Sequence, residues 1–178
     1  MLTHLKIYQR LLLATLFPIL LLLALSGYDL LQKWQVRSEM MRLGVFAEDV
    51  GNFSRLVHEL QKERGTSSVV LSSKGAQMRA ELDSQRKASD AKRGAAQQSL
   101  LRLGETAAGD LKAAVTKASR ALADLDAKRR DIDALTIAPP ASIAYFSQTI
   151  AALIDVASAI GTATVDSDVS TAIAAYVS

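Results

Sequence analysis

Residues 43–72 read LGVFAEDVGNFSRLVHELQKERGTSSVVLS. Within them Leu43, Phe46, Val50, Phe53, Val57, Leu60, Arg64, Ser67 and Leu71 recur at alternating steps of three and four. That spacing lines one face of an α-helix, and about four heptads of it make a bundle seam rather than a strand. The helix is predicted to end near Ser72, where SSKG brings Gly75 as a stop.

The rest of the chain after Trp34 follows the same pattern. A second helix is predicted from Ala76 to Leu103, with thin apolar content (Met78, Leu82, Leu100, Leu103) and many cations, so mostly solvated. GETAAGD breaks it at Gly104 and Gly109. A third helix carries Leu111, Val115, Ala118, Leu122, Leu125, Arg129 and Ile132 in the four-three rhythm, and Ala138-Pro139-Pro140 is expected to end it. Pro140 or Ala141 opens a fourth, with Ile143, Phe146, Ile150, Leu153, Val156 and Ile160 inward. Gly161–Ser167 reads as a connection to a short last helix that is still running at Tyr176. A helix of about ten residues is marginal without packing. The sequence therefore reads as part of a longer receptor.

Upstream, Leu11–Leu25 is an uncharged run (LLLATLFPILLLLAL), and Ser26–Leu31 extends it with only Asp29, near the outer end, interrupting. Residues 11–31 thus reach the roughly 20 residues a bilayer-spanning helix needs. Residues 1–10 are placed on the cytoplasmic side, since a short N-terminus is easily retained there, although Lys6, Arg10, Lys33 and Arg37 balance the flanking charge. The rival reading is a signal peptide cleaved near Ala24-Leu25-Ser26-Gly27. Either way residues 34–178 form the exported part. The expected fold is all-α, an antiparallel helical bundle preceded by one N-terminal transmembrane helix.

Composition narrows the chemistry. Aromatics make up 5% of the chain and Pro only 3 of 178 residues, which favours helices over a β-sandwich. The net charge of +3 is scattered, without the basic stripe a nucleic-acid partner requires. Cysteine is absent, and His4 and His58 lie in different regions, so no thiol chemistry, metal site or cofactor site is expected. There is no nucleophile–base pair, GxSxG, P-loop or dinucleotide fingerprint, and no catalytic residue is assigned. His58 reads as a surface residue, and Tyr145, Phe146 and Tyr176 as core.

Two arginines, Arg64 and Arg129, stand at seam positions. An inward guanidinium needs an anion, because burying it unpaired costs several kcal/mol. One solution is internal: an ion pair with a carboxylate such as Glu59, Glu63, Asp126 or Asp133, or a side chain that snorkels out. The other is a bound oxyanion, which the planar arginine fork matches in shape, with Ser67 and Ser68 as further donors.

Glu59-Leu60-Gln61-Lys62-Glu63-Arg64-Gly65, followed by Ser67 and Ser68, resembles the signature helix of the nitrate- and nitrite-sensing (NIT) domain of bacterial chemoreceptors and other signalling proteins. Arg79–Arg86 with Asp90, then Asp131–Leu135, then Ala144-Tyr145-Phe146 leading to Ile150, Leu153, Ile154 and Asp155, are similar to the family's next stretches, in order. The resemblance runs from about Ala47 to Ser178. It implies an all-helical domain that binds nitrate or nitrite through arginines, with Arg64 as the ligand-binding residue. It also implies a later glutamate-arginine motif, expected beyond Tyr176, where this sequence ends.

The expected function is the sensor portion of a transmembrane chemoreceptor or related signalling protein. It would not be an enzyme, would form a homodimer, and would sit in the bacterial inner membrane with its sensor domain outside. Its alternatives are a helical sensor for another small anion and a membrane-anchored structural coiled coil. The coiled coil predicts seam arginines satisfied by protein carboxylates; the anion sensor predicts an open polar pocket beside Arg64.

Overall fold

The computed structural model describes the backbone of residues 7–177, and side chains chiefly between residues 44 and 163. Among these residues there are five helices and no strand: α1 (Ile7–Ser72), α2 (Arg79–Thr106), α3 (Gly109–Ala123), α4 (Leu125–Asp133) and α5 (Pro139–Val177). The chain divides into two compact units, Met1–Gly44 and Val45–Ser178.

In the first unit the apolar run at residues 11–31 lies within α1. Leu16, Leu21 and Leu22 are 47%, 51% and 63% exposed. Apart from Ser26, the remaining side chains of that run lie outside the described residues.

The second unit is a helical bundle around Phe53, Leu56, Leu60, Leu122, Leu125, Ile132, Phe146, Leu153 and Val156, none more than 1% exposed. Polar ties fix the neighbours. Asn52 donates to Ser99 at 3.1 Å and the Gln85 amide to Glu59 at 2.7 Å, joining α1 to α2. The Tyr145 hydroxyl donates to the Ala121 carbonyl at 2.7 Å, joining α5 to α3. Pro139–Ala163 is apolar and long enough to cross a membrane, with a mean hydropathy of 1.5. Phe146, Leu153 and Val156 within it are fully buried, so this stretch is the core helix of the bundle.

α1 ends at Ser72 as expected, in a Schellman turn where Lys74 (φ 55°) and Gly75 (φ 82°) are both left-handed. Gly75 N–H donates to the Val70 carbonyl and Lys74 N–H to that of Leu71. α2 begins at Arg79 instead of Ala76, because Met78 is left-handed (φ 59°). Gly104 stays inside α2; the break comes at Ala107–Ala108, and Gly109 (φ 52°) opens α3. The predicted third helix is two helices, α3 and α4, interrupted at Asp124, yet its buried row runs through unbroken. A second Schellman turn at Leu135 (φ 57°) ends that row before the prolines do. Pro139 then opens α5, which continues through Gly161–Ser167 without the expected connection. Within it the Thr162 hydroxyl bonds back to the Ser158 and Ala159 carbonyls.

The buried face of α1 is also displaced from the expected seam. Among the described residues of α1, Asp49, Asn52, Phe53, Leu56, Leu60, Glu63, Ser67, Val70 and Leu71 are buried, while Val57 and Arg64 flank them, half-buried. On α5, Ile143 is 39% exposed rather than inward. α2 is less solvated than its composition suggests, because Ser89, Ala96 and Ser99 bury a face of small side chains.

Candidate anion-binding site

Glu63 and Arg64 are consecutive on α1, so their side chains leave the helix about 100° apart. Glu63 points into the bundle and is 0% exposed. Arg129, on α4, meets it with a fork: Nε donates to Oε1 at 2.7 Å and Nη2 to Oε2 at 2.9 Å. The third nitrogen, Nη1, donates to Asp90 on α2 at 2.7 Å. Burial alone would lower the Arg129 pKa, but its hydrogen bonds to Glu63 and Asp90 outweigh this and push it up. Arg86 adds a second cation: it donates to both Asp133 oxygens at 2.8 and 3.0 Å and to the Arg129 carbonyl at 3.2 Å. Nearby, Arg93 donates to Asp126 at 2.8 Å, and that bond holds the Asp126 carboxyl below its usual range despite some burial. Arg129 is therefore consumed inside the protein, by two carboxylates and a helix neighbour.

Arg64 is placed differently. It turns to α5, where Nη1 donates to the Ser147 hydroxyl at 2.9 Å. Of the arginines that are not fully exposed (Arg64, Arg86, Arg93 and Arg129), Arg64 alone has no carboxylate partner among the described residues. Its Nε and Nη2 groups donate to no protein atom there. Ser67, one turn along α1, is 0% exposed and its hydroxyl has no partner. Ser142, five residues before Ser147 on α5, is 1% exposed and equally unpartnered. At 1.5 Å per residue, Ser67 lies about 4.5 Å beyond Arg64 along α1, and Ser142 about 7.5 Å from Ser147 along α5. Ser68, expected to assist, is half-buried. Arg64 thus meets the Ser147 hydroxyl with Ser67 one turn along the same helix, whereas Ser142 lies about 140° round α5 from Ser147.

The other sequence candidates fall away from this seam. Glu59, considered as a partner for an inward arginine, is held by Lys62 at 2.6 Å and by Gln85; these hydrogen bonds lower its pKa. His58 is exposed, as expected. An open groove of about 380 Å³ lies between α3 and α5, bordered by Lys117, Arg120, Asp124, Tyr145 and Gln148. It does not include Arg64, and its Lys117 pairs with Asp155 at 2.9 Å. Burial pushes the Tyr145 phenol up to about 12. The residues that sequence reading missed are Ser142 and Ser147: single serines on a helix give no signal until α5 is laid against α1.

Residues 55–178, more than half of the chain, match the family described as nitrate and nitrite sensing (NIT). The chain belongs to the NIT family. Arg64, the Glu63–Arg129 pair and Ser147 all fall inside the matched span. The solved structure of the NasR transcription antiterminator is similar, with a TM-score of 0.63 and 26% identity. The likeness covers 71% of this chain and 36% of that one, so this NIT chain corresponds to about a third of the antiterminator's length. No curated protein sequence matches the chain.

Proposed function

We propose that this chain is the nitrate- or nitrite-binding sensor portion of a transmembrane chemoreceptor or related signalling protein, with Arg64 as the anion contact. The observation that carries the reading is the unpaired fork of Arg64, set in a bundle whose other part-buried arginines all have carboxylates. Such a guanidinium presents paired donors in a plane, and nitrate and nitrite are planar oxyanions with adjacent acceptor oxygens. Ser147, and Ser67 one turn along α1, supply hydroxyls of the kind that replace lost water around a small anion. Nothing in this arrangement pairs a nucleophile with a base, which supports binding without catalysis.

Membrane placement rests on residues 11–31, an apolar stretch interrupted only by Asp29 near its outer end, with leucines exposed at Leu16, Leu21 and Leu22. The bacterial inner membrane, with residues 34–178 outside, is the setting this favours. Membrane-anchored helical sensors commonly signal as pairs, so a homodimer belongs to the proposal.

Calorimetric titration of the full chain with nitrate, nitrite and chloride tests it. A charge-assisted hydrogen bond contributes about 1.5–3 kcal/mol, so Arg64→Ala should weaken nitrate or nitrite binding by about tenfold or more. Arg64→Lys keeps the charge but loses the fork, and should also bind more weakly. Equal affinity in the parent and Arg64→Ala proteins would overturn the assignment. Chloride binding as tight as nitrate would replace it with a general anion sensor.

A further inference from the structure

We propose that the buried Glu63–Arg129 pair is a positioning device: it sets the rotational register of α1 and thereby aims Arg64 at the α5 seam. The consequence for the anion rests on reading Arg64 as a ligand contact; the register itself does not.

The argument starts from adjacency. Glu63 faces α4 and α2 while Arg64 faces α5, and one backbone carries both. With side chains at a radius of about 5 Å, turning α1 by about 50° to take Arg64 off Ser147 would sweep Glu63 through roughly 4 Å. Leu56, Leu60 and Val70, on the same buried face, make non-directional apolar contacts that can re-form with other neighbours at a different angle. A two-point fork cannot, because both oxygens of Glu63 are matched to fixed nitrogens at 2.7 and 2.9 Å.

The fork's own base is held from two helices. Asp90 of α2 takes Nη1 of Arg129, and Arg86 of α2 donates to the Arg129 carbonyl. α1, α2 and α4 therefore meet at one bidentate contact. Stability alone does not call for such a contact, since apolar side chains of similar volume commonly do as well in a core. What a buried ionic contact adds over an apolar one is a defined angle, as a single polar residue defines register in a coiled coil.

The chain contains no cysteine, so single cysteines in the full chain report the register through thiol-labelling rates. Gln61→Cys, Arg64→Cys and Ser67→Cys should label in the order fast, intermediate, slow, following the exposed, half-buried and buried states of these positions. The informative background is Glu63→Met with Arg129→Met, which replaces the fork with apolar side chains and keeps the core filled. Thermal denaturation should show this double variant at least as stable as the parent. Even so, labelling at position 67 should rise about tenfold relative to position 61, and nitrate affinity of the variant retaining Arg64 should fall about tenfold. Leu100→Ala, a core truncation on α2, serves as the loosened control and should preserve both the labelling order and the affinity. An unchanged order in the double variant overturns the proposal, as does an equal change in Leu100→Ala. If the double variant fails to fold, Arg129→Gln takes its place with the same labelling criterion. If the parent binds no nitrate, the ligand reading falls and the labelling order still decides the register.

Discussion

Arg64 on α1 and Arg129, three helices later on α4, lie at two faces of one α1 turn about 100° apart, and only Arg129 is answered by carboxylates of the protein. Around Arg129 the arrangement is closed: Glu63, Asp90 and, at 3.7 Å, Asp126 surround a guanidinium that is 8% exposed. Around Arg64 it is open, with one serine hydroxyl as acceptor and the orphaned Ser67 and Ser142 hydroxyls along the same helices. The difference shows that an inward-facing arginine is evidence of a ligand only after its protein carboxylates are counted. The same residue type serves the fold at one position and is left available at the other.

The largest expected effect lies on the closed side. Glu63→Ala leaves Arg129 buried without its main partner, and should cost about 3–5 kcal/mol in urea unfolding of the full chain. A loss under about 1 kcal/mol would break the comparison, by showing that the cluster is as solvated as a surface pair.

Asp90→Ala sharpens it. Asp90 is exposed (51% for its side chain) while Glu63 is fully buried, although both sit 2.7 Å from Arg129. Exposed partners contribute roughly 0–1 kcal/mol, so Asp90→Ala should cost several-fold less than Glu63→Ala in the same unfolding measurement.

The smallest effect on stability belongs to the open side. Arg64→Ala removes one hydrogen bond to a serine and a cation with no counter-charge, and should shift the unfolding free energy by no more than about 0.5 kcal/mol, the range of ordinary surface substitutions. A cost comparable to that of Glu63→Ala would make Arg64 a structural residue and erase the contrast on which the ligand reading stands.

The all-helical fold was legible in the three-four spacing alone, because burying one face of a 3.6-residue period leaves few other solutions. The ELQKERG stretch was legible as a NIT resemblance, and the family match bears it out. Helix ends were read less well. The end of α1 was legible, with Gly75 left-handed alongside Lys74, but α4 stops at a left-handed Leu135 where the sequence reading relied on the prolines. Gly104 and Gly161 lie inside helices, since the propensity penalty of one glycine, about 1 kcal/mol, is small beside the packing of a long helix.

The candidate site divides along the same line. That Arg129 faces inward, and that carboxylates such as Glu63 were available to it, followed from periodicity and composition, whereas Arg64, read as inward, flanks the buried face. Which carboxylate met which arginine did not, because Glu63 and Arg129 are 66 residues apart and Arg64 and Ser147 are 83 apart. A one-residue difference in α1, the 100° between Glu63 and Arg64, decides whether a charge enters the α2–α4 side or the α5 seam. Heptad spacing tolerates that much drift, so both residues satisfied the pattern. Only the rotational setting of α1 against α2, α4 and α5, a property of the packed bundle, closed one arginine and left the other open.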